Sequence, residues 1–84
     1  MNIYKEEFNL CLAVPAKIIS LEECMAKVDI MGLESYINIQ LIDSPKIGEL
    51  VLVHAGCAIE KIDAEYFSYL NEIFEDLLEE TKVE

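Results

Sequence analysis

The chain has 84 residues, 54% of them hydrophobic, and a formal net charge of -11. That length fits one domain with one modest core. The apolar content argues against a disordered chain, and the charge disfavours nucleic acid and anionic membrane as partners, because both repel a surface of that sign.

Residues 1–10 are polar and mixed in charge, with isolated Ile3, Tyr4 and Phe8, and form a separate lead-in. Lys5 is followed by Glu6 and Glu7, and the apolar run from Leu10 to Val14 is too short for a signal peptide. No run approaches the ~20 residues of a membrane span. Three cysteines (Cys11, Cys24 and Cys57) without C-x-x-C spacing suggest neither a disulfide framework nor a zinc knuckle. Reduced thiols and a cytoplasmic location are expected.

From Cys11 to Ile62 the pattern is that of short strands. Cys11-Leu12-Ala13-Val14-Pro15 is an apolar run stiffened by its proline. Lys17–Leu21 is strand-like through its β-branched residues, and Glu22-Glu23 makes a turn. Cys24, Ala26, Val28 and Ile30 then alternate with polar neighbours, which assigns Cys24 to the core. Gly32 supplies the next turn. The longest strand is expected from Ser35 to Ile42, closed by the turn Asp43-Ser44-Pro45-Lys46. Glu49–His54 is apolar on both faces and belongs inside the sheet. Gly56 interrupts it, and Ala58–Ile62 resumes. Five short strands at this spacing predict a mainly β fold, a small OB-like antiparallel β-barrel over residues 11–62.

Residues 63–84 differ. Asp63 can cap a helix and Glu65 suits its first turn. Tyr66, Leu70, Ile73 and Leu77 recur at helical spacing, widened by Phe67, Phe74 and Leu78, with acidic residues opposite. A C-terminal α-helix is predicted, with this stripe covering one side of the barrel and a frayed tail from Thr81.

Few residues carry chemistry. Cys11 heads the first strand; it either begins a buried strand as a small hydrophobe or presents a soft ligand. His54 is the only histidine and ends the most apolar strand, where loops and solvent meet. No serine has a base beside it, there is no glycine-rich phosphate loop, and His54 with Cys57 falls short of a metal cage. An enzyme is therefore not expected.

Two stretches read together are informative. Cys11-Leu12-Ala13-Val14-Pro15, with Gly48-Glu49-Leu50-Val51-Leu52-Val53-His54-Ala55-Gly56-Cys57-Ala58, resembles the HypC/HupF family of nickel–iron hydrogenase maturation chaperones. The resemblance runs from Cys11 over nearly all of the remaining chain. It implies an OB-type barrel with a C-terminal helix and a partnership with HypD, an iron–sulfur protein. It also implies transient handling of iron that carries cyanide and carbon monoxide, shared with HypD, and delivery of that Fe(CN)2CO unit to the immature hydrogenase large subunit. By motif match Cys11 would bind the iron and His54 would assist. Leu12, Ala13, Val14 and Pro15 would form the docking surface together with Cys11 and His54. The chemistry fits: low-valent iron with such ligands suits a soft thiolate, and a nearby imidazole can favour the thiolate or pass a proton.

The chain departs from the family pattern in three places. Family members usually begin Met-Cys, whereas ten residues precede Cys11 here; the expectation is a true start at position 10, with Leu10 where Met should stand. Ala16 replaces a common glycine. Leu50 and Cys57 replace common aromatics, so Cys57 reads as a barrel residue with a smaller side chain. Two rival functions remain. One is an OB-type module for single-stranded nucleic acid, which the charge disfavours. The other is an acidic structural adaptor working through its helix.

Overall fold

A computed structural model describes residues 13–83, with side chains as far as Leu77. Its elements in order are β1 (Val14–Leu21), β2 (Met25–Ile30), β3 (Leu33–Asn38), β4 (Leu50–His54), β5 (Cys57–Ile62) and α1 (Ala64–Val83). The strands close into a barrel in the order β1-β2-β3-β5-β4. The fold is thus mainly β, a five-stranded closed barrel with one C-terminal helix, as the strand spacing predicts.

Turn chemistry sets the registers. Met31 (φ 49) and Gly32 (φ 93) form a two-residue turn joining β2 to β3, so that Ile30 pairs with Leu33. Positive φ at both central positions matches the right-handed twist of a hairpin. Between β1 and β2 the register skips at Ile19, so Ile18 pairs with Val28 and Ser20 with Lys27. This bulge bends β1. Its first half pairs with β4 (Val14↔Val53 to Lys17↔Leu50) and its second half with β2. Closure elsewhere rests on a single parallel pair, Asn38↔Cys57, with the Asn38 N–H donating to the Gly56 carbonyl at 2.9 Å.

Alternation then builds the core. Ala16, Ile18, Ala26, Val28, Ile37, Val51, Val53 and Ala58 point inward and are buried. Fully burying a side chain the size of Val28 contributes about 1.5–3 kcal/mol. Leu52 and Pro15 pair across β4 and β1 on the opposite, outer face, yet they too are buried. The reason is α1, which packs against β1 and β4.

Three expectations need correction. The strand predicted from Ser35 to Ile42 ends at Asn38. There the Asn38 side chain accepts from the Gln40 N–H at 2.8 Å and donates to Gln40 Oε1 at 2.9 Å, a local bond that competes with the ladder. Ile39 and Ile42 still reach the core, while Leu41 is exposed. Cys24 is exposed rather than buried, because it falls in the β1–β2 turn: its carbonyl accepts from the Ile39 N–H and its Sγ lies 3.6 Å from the donor Gln40 Nε2. The helix, finally, is rotated from the predicted stripe. Phe67, Leu70 and Phe74 are half-buried, whereas Tyr66, Ile73 and Leu77 are exposed. From Tyr69 to Phe67, through Ile73, Tyr66, Leu77, Leu70 and Phe74, the apolar residues span about 160° of circumference at 100° per residue. That arc is wider than two strands can cover.

Asp63 caps α1 as expected, accepting from the Tyr66 N–H at 2.8 Å through Oδ1. No helix is long and apolar enough to cross a membrane among the described residues.

Candidate functional site

Strand register brings two of the candidate residues, Ala13 and His54, together at one end of the barrel. The last β1–β4 pair is Val14↔Val53, so the next antiparallel position sets Ala13 beside His54. Across β4 and β5, His54 pairs with Cys57, and Cys57 pairs in turn with Asn38 of β3. A single rim therefore runs Ala13, His54, Cys57, Asn38.

The facing of these residues follows from the pleat. Val14, Val53, Ala58 and Ile37 point into the core, so each rim residue, one position away, points outward. All four are half-buried. The turn that carries His54 over to Cys57 is Ala55 (φ 53) and Gly56 (φ 78), both exposed. A two-residue turn with both φ positive holds the flanking pair in direct opposition. His54 and Cys57 are thereby cross-strand neighbours, with Cα atoms about 5 Å apart.

Cys11 and Leu12 lie outside the described residues. Ala13, the first described residue and the second after Cys11 in the sequence, takes the strand position beside His54. Ala13 and Val14 are half-buried at the rim, Val14 packing against the core. Pro15 is fully buried between the barrel and α1. It has no surface of its own to offer a partner; what it supplies is a fixed φ behind the rim.

Among the described residues no three His, Cys, Asp or Glu side chains converge to hold a metal ion. His54 and Cys57 offer one nitrogen and one sulfur. From sequence Cys57 reads as a smaller barrel residue, and its H-x-x-C spacing with His54 falls short of a metal cage. The structure sets it outside the core, next to the imidazole. The signal was present in the Ala55-Gly56 pair, whose length fixes which residues face each other.

Comparison with known proteins agrees with this architecture. A model of the HupF/HypC family matches residues 10–74. The chain is 39% identical to the hydrogenase maturation factor HypC of Rhizobium leguminosarum bv. viciae over 57 residues, covering 67% of this chain and 76% of that protein. It is 35% identical to the HypC of Cupriavidus necator, covering 81% of this chain and 77% of the relative. It is 32% identical to the HypC of Helicobacter hepaticus, covering 89% and 90%. A match spanning the barrel and more than half of the helix, together with the rim that the register assembles, means that this chain belongs to the HupF/HypC family.

Proposed function

We propose that this chain is a hydrogenase maturation factor, a non-catalytic assembly chaperone working in the cytoplasm. It binds HypD and the immature large subunit of nickel–iron hydrogenase, and it helps to carry and deliver an iron unit bearing cyanide and carbon monoxide. Cys11 supplies the thiolate to that cargo and His54 assists it. Leu12, Ala13 and Val14 contribute the docking surface, and Pro15 stiffens the strand behind them.

The observation that supports this reading best is the β1–β4 register. It brings the segment following Cys11 to the strand position beside the only histidine. A thiolate is the ligand form, and a protonated imidazole or a donor N–H nearby favours it. One thiolate per carrier holds iron while leaving coordination positions for the receiving protein. A full cage from one chain would trap it.

The test is maturation in a strain deleted for its own factor and supplied with this chain. Cys11→Ala is expected to fold normally by circular dichroism and to abolish hydrogenase activity. His54→Gln is expected to lower it. Normal maturation by the Cys11→Ala protein would overturn the assignment.

A further inference from the structure

One flank of α1 carries an exposed apolar ridge at the edge of its half-buried face. Tyr66, Tyr69 and Ile73 are 44%, 59% and 39% exposed. At i, i+3 and i+7 they lie within about 60° of one another around the helix, along one flank of the half-buried face made by Phe67, Leu70 and Phe74. An aromatic side chain presents 150–250 Å², so the exposed ridge is on the order of 300 Å². That is within the size of the largest apolar patch on a typical monomer, a patch that is often functional. Exposed Glu65, Glu72 and Asp76 follow the same helical spacing along one edge of the ridge. At its amino end, Asp63, Glu65, Tyr66 and Tyr69 line an open cleft of about 460 Å³.

We propose that this ridge is a docking surface for a basic amphipathic helix of another protein. Charge chooses the occupant. The chain carries -11 overall and Glu65, Glu72 and Asp76 give the ridge an acidic edge, so the complementary surface is an apolar stripe flanked by Lys and Arg. A second copy of this chain would bring the same acidic edge against the ridge's own, and like charges facing each other across a dry interface oppose association. The cleft accepts one long basic side chain, with its aliphatic stem against the two tyrosine rings and its head toward Glu65. The helix N-terminus carries about +0.5 charge, but the two carboxylates beside it outweigh that. Helix-in-groove recognition uses anchors at this spacing. The surface lies on α1 rather than on the rim that holds His54, so its test is independent of iron handling.

The experiment uses the full chain and two labelled synthetic helical peptides of about 18 residues, five turns. Both carry the same Leu/Ile stripe; one is flanked by Lys and Arg, the other by Glu. Fluorescence anisotropy is expected to show the basic peptide binding at least tenfold more tightly. Tyr69→Ser with Ile73→Ser is expected to weaken that binding at least tenfold without altering the circular dichroism spectrum, since both side chains are exposed. Glu72→Lys with Asp76→Lys is expected to reverse the preference between the peptides. Equal binding of the two peptides, or binding indifferent to the Tyr69 and Ile73 changes, would overturn the proposal. So would a dimer in sedimentation equilibrium that Ile73→Lys abolishes, which would assign the ridge to a second copy. Amide shifts in residues 1–10 on Ile73→Lys without peptide would assign it to the chain's own lead-in, and would also overturn the proposal.

Discussion

Asp63→Ala should destabilise the protein by an amount that can be worked from one bond. Asp63 is the N-cap of α1, and its Oδ1 accepts the Tyr66 N–H at 2.8 Å. Removing such a cap costs about 1 kcal/mol, and losing a carboxylate from the positive end of the helix adds roughly 0.3–1 kcal/mol. The helix is also what buries the Pro15–Leu52 pair on the outer barrel face, so the loss is felt in global unfolding rather than in local fraying. For a domain of 60–100 residues, 1 kcal/mol shifts the melting temperature by roughly 4–8 °C. Asp63→Ala should therefore lower it by about 5–16 °C, measured by circular dichroism at 222 nm. Asp63→Asn retains the acceptor and should cost only the charge contribution. If Asp63→Ala melts within a degree of the parent, the cap does not couple the helix to the barrel and the reasoning fails.

Other outcomes follow from the same geometry. Val28→Ala, at a fully buried position, should cost about 2 kcal/mol in urea unfolding, whereas Leu33→Ser at a site 76% exposed should stay within about 0.5 kcal/mol; equal costs would contradict the assigned interior. Glu49 provides a pH test. Partial burial acts against its ionisation, but Lys61 at 3.2 Å, the Lys46 N–H at 2.8 Å and the Lys46 charge hold its carboxyl below the usual carboxylate range. A carboxylate whose folded pKa is depressed gives stability that is present above its ordinary pKa of 4.5 and is lost as pH falls through the lower folded value. The Glu49→Gln protein should therefore lose stability less steeply below pH 4.5 than the parent in acid titrations; matching slopes would refute the Lys61 pairing.

The barrel was legible because inward and outward residues alternate in β2, because β4 is apolar on both faces, and because Met31-Gly32 and Ala55-Gly56 punctuate the chain where hairpins turn. Asp63 announced the helix start for the same reason: a carboxylate ahead of an apolar periodic run satisfies an orphan N–H. What misled was apolar character without context. Ile39 and Ile42 enter the core from irregular backbone, so their burial mimicked a strand that Asn38 had already ended. Cys24 continued the alternation of β2 by one residue beyond its real start. In α1 the apolar arc exceeds what two strands can cover, and sequence spacing cannot say which edge is left over. The candidate site shows the same division. Cys11 and His54 were found as residue types in motifs, but the neighbourhood of His54 and Cys57 depended on a register that only the turn length could set.

The central claim is that Cys11, working beside His54, shares iron with a partner protein. The most direct measurement is co-purification with HypD from cells expressing the other maturation proteins, followed by infrared spectroscopy of the complex. The account predicts cyanide and carbonyl stretching bands on the complex with the parent chain, and their loss with Cys11→Ala while the mutant keeps its fold. Bands of undiminished intensity in the Cys11→Ala complex, or no association with HypD by the parent, would contradict it.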